Sequence, residues 1–225
     1  MILPSPLCVI CDAEVCARAG WSLVEFAAAC LHGGARFLQV RAKQASSGQL
    51  LDAAAAIVEA ATPASASVIV NDRADVARLA GAAGVHVGQD DLAPAAVRAV
   101  LGDRAVVGLS THTSDQVAAG IRQPVTYIAI GPIFPTSTKV TGYDSLGLTR
   151  VREAAALARS RELPLVAIGG ITLERALDVI DSGAQAVAVT SDLLVGGNPA
   201  LRVKAFLDRL SGSDSGTRTP FHIPV

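Results

Sequence analysis

Two hydrophobic patterns alternate along the chain. Short apolar runs end in polar residues or glycine: LCVIC (7–11), RFLQV (36–40), SVIVN (67–71), GVHVG (84–88), AVVGL (105–109), TYIAI (126–130), PLVAI (164–168) and AVAVT (186–190). Continuous rather than alternating hydrophobicity marks strands covered on both faces, as in a parallel sheet. Alanine-rich stretches carrying helix signals lie between them. Ser22 and Glu25 have capping-box spacing ahead of a segment that closes on Gly33, and Ser46 and Gln49 repeat that spacing. Thr172 and Gly183 bracket LERALDVIDS as N-cap and C′ glycine, and Asn198-Pro199 places a cap before a proline at the first helical position.

Strict strand–helix alternation predicts parallel strands joined by right-handed crossovers. Eight such units within residues 1–210 predict an α/β domain of one kind, a single (β/α)8 TIM barrel. A doubly wound open sheet is the structural alternative, and it would gather ligands at one switch point instead of after most strands. Residues 211–225, SGSDSGTRTPFHIPV, break the pattern and read as a flexible C-terminal tail.

Composition narrows this picture. Hydrophobic residues make up 51% of the 225 positions but aromatics only 4%, so the core has to be built from Ala, Val, Leu and Ile. The net charge of −1, from 19 basic and 20 acidic residues without long runs of either sign, argues against a nucleic-acid partner or a polybasic membrane anchor. No apolar run is long enough to span a bilayer. The opening MILPSPLCVICD has no basic n-region and is interrupted by Pro4 and Pro6, which points to the cytoplasm. Cys8, Cys11 and Cys16 have the spacing of a partial zinc site, but they lie in or beside a strand-like run with no fourth ligand nearby in sequence. Buried packing suits them better.

In a (β/α)8 barrel the loops after the strands build the active site, so the residues there carry the candidate chemistry. Gln39, Arg41 and Lys43 alternate at the end of the second run and can face one side, where an arginine fork and a lysine charge suit an anion. Asn71-Asp72 follows the third run and Gln89-Asp90-Asp91 the fourth. Asp72 and Asp91 together suit magnesium, which takes one or two carboxylates plus phosphate oxygens and water, although Asp equally often caps a helix. Ser110 and His112 follow the fifth run as a phosphate donor and an acid or base, with a cluster of N-caps as the plainer reading. His86 lies inside the fourth run and reads as a barrel-interior residue. The sixth loop, GPIFPTSTK, offers Thr136, Thr138 and Lys139; the seventh offers Gly169-Gly170, where a ligand can approach the backbone; the eighth offers Thr190 and Ser191.

In this order, QVRAK, VNDRADVA, GVHVGQDD, GLSTHT, GPIFPTSTK and AIGGI resemble the thiamine phosphate synthase family, over roughly residues 7–209. The resemblance implies a transferase that joins hydroxymethylpyrimidine diphosphate to hydroxyethylthiazole phosphate, releasing diphosphate with Mg2+ as cofactor. It implies that Gln39, Arg41 and Lys43 form the pyrimidine-diphosphate pocket, with Asn71 on the pyrimidine and Asp72 and Asp91 on the metal. Ser110 and Lys139 would hold the diphosphate, and Thr136, Thr138, Gly170, Thr190 and Ser191 the thiazole phosphate. The partners are small phosphorylated molecules, and a homodimer is the assembly to test for. The chain departs from the family pattern in VTGYDSLGL after Lys139, in Ala13 after Asp12, and in lacking an asparagine often found after the glycine pair. Two other readings compete: a thiazole tautomerase-like isomerase using His112 as proton shuttle, and a non-catalytic sensor of a phosphorylated ligand. The isomerase has little use for Arg41, Lys43, Asp72, Asp91 and Lys139 together, and the sensor does not need the carboxylate pair.

Overall fold

The apolar runs become strands. In the computed structural model, which describes residues 3–136 and 142–211, eight of them close into a barrel in chain order. The strands are β1 (Leu7–Asp12), β2 (Phe37–Arg41), β3 (Ser67–Asn71), β4 (Gly84–Val87), β5 (Val106–Thr111), β6 (Tyr127–Ile130), β7 (Leu165–Ile168) and β8 (Ala186–Val189). Every neighbouring pair is parallel, and β1 closes the ring on β8 through Val9 opposite Val189. The single TIM barrel expected from the sequence is therefore the observed fold, and the open sheet is excluded.

The helices among the described residues are α1 (Ala13–Arg18), α2 (Leu23–His32), α3 (Ser47–Ala61), α4 (Ala74–Leu79), α5 (Pro94–Leu101), α6 (Ser114–Gly120), α7 (Gly147–Arg159), α8 (Leu173–Asp181) and α9 (Pro199–Ser211). The predicted capping boxes form: Ser22 Oγ accepts from the Glu25 N–H at 3.2 Å, and Ser46 Oγ from the Gln49 N–H at 3.3 Å. Asn198 Oδ1 caps α9 through the Leu201 N–H at 3.1 Å, and Gly183, with φ of +108°, follows α8 in the left-handed region that favours glycine. Three short elements lacked a sequence signal: α1, and 3-10 stretches at Thr62–Ala64 and Ser191–Gly197. Ser211, assigned to the tail in sequence, still belongs to α9, and residues 212–225 lie outside the described residues.

Two apolar shells result from the strand pleat. Outward residues such as Val9, Val40 and Val187 pack with Phe26, Ile57 and Phe206 of the helices. Inward residues, among them Cys8, Ile10, Phe37, Ile69, Tyr127, Val166, Ala186 and Ala188, fill the barrel itself. Phe37 and Tyr127 meet edge to face there at 5.9 Å between centroids. Gly108 makes room for the second ring, since a Cβ at that position would lie 2.2 Å from Tyr127 Cζ. Cys8, Cys11, Cys16 and Cys30 are all buried and free, and burial pushes the Cys16 thiol up to about 12. Among the described residues no three His, Cys, Asp or Glu side chains are grouped to hold a metal, and no helix is long and apolar enough to cross a membrane.

Candidate active site

Strand polarity sends one parity of β2 into the barrel: Phe37 fills its floor, Gln39 lies higher, and Arg41 reaches the carboxyl-end mouth. Gln39 is buried, and its Nε2 donates to Asn71 Oδ1 of β3 at 2.9 Å. This amide pair presents hydrogen-bonding edges suited to a planar heterocycle.

Asp72 follows with φ of +64°, a conformation uncommon outside glycine but tolerated by Asp. Its N–H donates to the His86 carbonyl at 2.8 Å, which pins the turn against β4. Its Oδ2 lies 3.0 Å from Lys43 Nζ, and the Asp91 carboxylate stands beside it. Burial, chiefly, and the neighbouring Asp91 raise the pKa of Asp72, while Lys43 opposes the rise. Asp90 and Asp91 are both exposed, but Asp91 is oriented by the Gly88 N–H, which donates to its Oδ2 at 2.8 Å. Two adjacent carboxylates, with no third His, Cys, Asp or Glu grouped with them among the described residues, form an all-oxygen donor set that fits magnesium, which keeps the rest of its sphere for phosphate and water.

Arg41 is held differently. Its Nη1 bonds Asp12 Oδ2 and lies 3.5 Å from Glu14 Oε2, so two carboxylates of the mouth neutralise this arginine. Asp12 also caps α1 by accepting from the Val15 N–H at 3.0 Å. The other Glu14 carboxylate oxygen is buried without a hydrogen-bond partner.

Ser110 ends a chain of hydrogen bonds across three strands. His86 Nε2 lies 2.7 Å from Ser110 Oγ, and His86 Nδ1 lies 2.8 Å from the Tyr127 hydroxyl. Burial holds the Tyr127 pKa well above its usual value, so the phenol remains a neutral donor. A phenol donating to Nδ1 places the imidazole proton on Nε2, directs it at Ser110 Oγ, and leaves the serine proton for the mouth. His112 is anchored separately: Nδ1 lies 2.5 Å from the Gly131 carbonyl, and its ring stacks on Tyr143 at 4.3 Å.

The loops after β6 and β7 are stitched together. The Ile133 N–H donates to Ile168 O at 2.9 Å and the Phe134 N–H to Gly169 O at 3.0 Å. The expectation was that Gly169-Gly170 admits a ligand; loop packing already requires both glycines. Their φ values are +100° and +63°, and a Cβ on Gly170 would lie 2.6 Å from Pro135 O. Beside them a cavity of about 400 Å³ is lined by Arg41, Thr136, Gly170, Arg175, Thr190 and Ser191, among others. A second, of about 190 Å³, includes Lys43, Asn71 and Asp72 in its wall. Arg41 and Lys43, grouped as one cradle in sequence, thus line different cavities. Thr138 and Lys139 lie outside the described residues.

Sequence reasoning did not single out Asp12, Tyr127, Arg175 or Asp192 for the site. Asp192 is buried in the loop after β8, where its Oδ2 accepts from Arg202 Nη2 at 2.7 Å and from the Leu173 N–H at 3.2 Å. The parity of β6 could have placed Tyr127 inside the barrel. Nothing local announced the other three.

Residues 7–193 match the family described as thiamine monophosphate synthase. A thiamine-phosphate synthase of Koribacter versatilis (strain Ellin345) is 44% identical over 189 residues, covering 84% of this chain and 87% of that relative. One from Chlorobium luteolum (strain DSM 273 / BCRC 81028 / 2530) is 37% identical over 213 residues, covering 95% and 96%. Among solved structures, a thiamine phosphate pyrophosphorylase from Pyrococcus furiosus superposes with a TM-score of 0.79 at 25% identity, covering 92% of this chain and 95% of its own.

Proposed function

The chain belongs to the thiamine monophosphate synthase family, and on that premise we propose that its barrel mouth joins hydroxymethylpyrimidine diphosphate to hydroxyethylthiazole phosphate. The products are thiamine phosphate and diphosphate, and the enzyme is a transferase. The observation that carries this reading is the Lys43–Asp72–Asp91 cluster, sharing the barrel mouth with a larger cavity walled by threonine, serine and glycine.

The reaction breaks a carbon–oxygen bond at the pyrimidine methylene and forms a carbon–nitrogen bond to the thiazole. A dissociative path develops positive charge on the methylene and negative charge on the departing diphosphate. Gln39 and Asn71 orient the pyrimidine. Arg41, Lys43 and Lys139 neutralise the leaving group as its charge grows, and Ser110, aligned by His86, adds a hydrogen bond. Mg2+ held by Asp72 and Asp91 would supply further positive charge to the diphosphate oxygens. Thr136, Thr138, Gly170, Thr190 and Ser191 hold the thiazole phosphate so that its nitrogen faces the methylene, an orientation effect that needs no general base. The near-balanced charge supports a cytoplasmic enzyme without a nucleic-acid partner, and sedimentation decides between a monomer and the homodimer.

Mixing both substrates with and without magnesium tests the reading. Thiamine phosphate and diphosphate should appear in equal amounts and only with the metal. Asp91→Ala should lower turnover by about 100-fold with little change in thermal midpoint. Near-normal turnover of that variant at saturating magnesium refutes the metal assignment.

A further inference from the structure

We infer that Arg175 is a phosphate-recognising residue of the larger cavity and sets the preference for a phosphorylated over an unphosphorylated thiazole. The inference rests on the synthase reading. Arg175 stands in the first turn of α8, where the unsatisfied N–H groups of a helix disfavour a cation. Its side chain, though exposed, lies along the cavity of about 400 Å³ and forms part of its lining.

Two anchors from different loops hold it there. Its guanidinium carbon sits 4.7 Å from the centroid of the Phe134 ring, and its Nη1 donates to Gly170 O at 3.2 Å. Both anchors leave most of the guanidinium donors uncommitted. Among the described residues, no carboxylate lies within ion-pairing distance of Arg175, in contrast to Arg41, which Asp12 and Glu14 neutralise. The cavity therefore contains one arginine already paired and one still seeking an anion. Thr136, Gly170, Thr190 and Ser191 share its lining with hydroxyl and backbone donors, and a planar fork beside them matches a phosphate monoester.

Titration calorimetry on the wild type, Arg175→Gln and Arg175→Lys, with hydroxyethylthiazole phosphate and with the parent alcohol, tests the assignment. The wild type should prefer the phosphate ester. Arg175→Gln should weaken ester binding by about 10- to 100-fold while alcohol binding shifts by less than about twofold, and Arg175→Lys should fall between. In turnover, the KM for the thiazole phosphate should rise while that for the pyrimidine diphosphate holds. Unchanged ester binding in Arg175→Gln overturns the inference. So does an equal loss for ester and alcohol, which would indicate packing on Phe134 alone. Arg175-dependent ester binding by a protein that forms no thiamine phosphate would sustain this residue's role and sink the synthase reading.

Discussion

The Tyr127 hydroxyl, the polar end of a ring packed among apolar side chains, lies 2.8 Å from His86 Nδ1, and by donating there it places the imidazole proton on Nε2. Removing it is a small change in volume and a large one in direction. In Tyr127→Phe, His86 loses the donor that orients it and Ser110 loses its preferred sense of hydrogen bonding. Stability should fall by about 1–3 kcal/mol, because a buried acceptor is left unpaired. The kcat should drop by roughly tenfold while the KM for thiazole phosphate holds. A variant that is less stable yet turns over normally would reduce the chain to a packing feature. The glycine facing this pair has the same origin: a Cβ on Gly108 would lie 2.4 Å from His86 Nδ1.

At the scale of elements, the long signals were readable and the short ones were not. Strands of continuous Val, Ile and Leu, and helices opened by Ser22, Ser46 and Asn198, follow from local chemistry. The six residues of α1 offered no apolar period, and their cap, Asp12, is equally a strand-end residue. The site was legible only as a set of loop ends. Which end meets which depends on closure of the barrel: Gln39 finds Asn71 32 positions on, and His86 finds Tyr127 41 positions on. Asp192 is the clearest case of a residue that only the assembled fold explains, since it joins the loop after β8 to the start of α8 and to Arg202 of α9. Asp192→Ala leaves the exposed Glu174, at 3.7 Å, as the one carboxylate within ion-pairing distance of Arg202 among the described residues, while the bond from Arg202 Nε to the backbone carbonyl of residue 192 remains. The change should cost about 2 kcal/mol, less than for a fully buried pair, and raise the KM for thiazole phosphate more than that for the pyrimidine substrate. Chemical denaturation and steady-state kinetics check the two halves, and equal KM changes would argue against a local effect at the β8 loop.

Across the whole molecule, the two sides of the mouth are held by different kinds of force. The wall after β6 and β7 is backbone bonded to backbone. The opposite side is held by charge: Arg41 on Asp12 and Glu14, and Lys43 on Asp72. Those carboxylates occupy positions on Arg41 and Lys43 that an anion would otherwise take. Any incoming anion must win an exchange rather than fill a vacancy. A small, weakly charged ion gains less from that exchange than diphosphate, whose higher charge attracts each cation more strongly. Diphosphate should therefore inhibit at much lower concentration than inorganic phosphate when each is titrated against the pyrimidine substrate, and equal inhibition constants would rule the exchange out. Self-pairing of the mouth thus becomes a filter, keeping abundant inorganic phosphate from occupying a site meant for a scarcer ester.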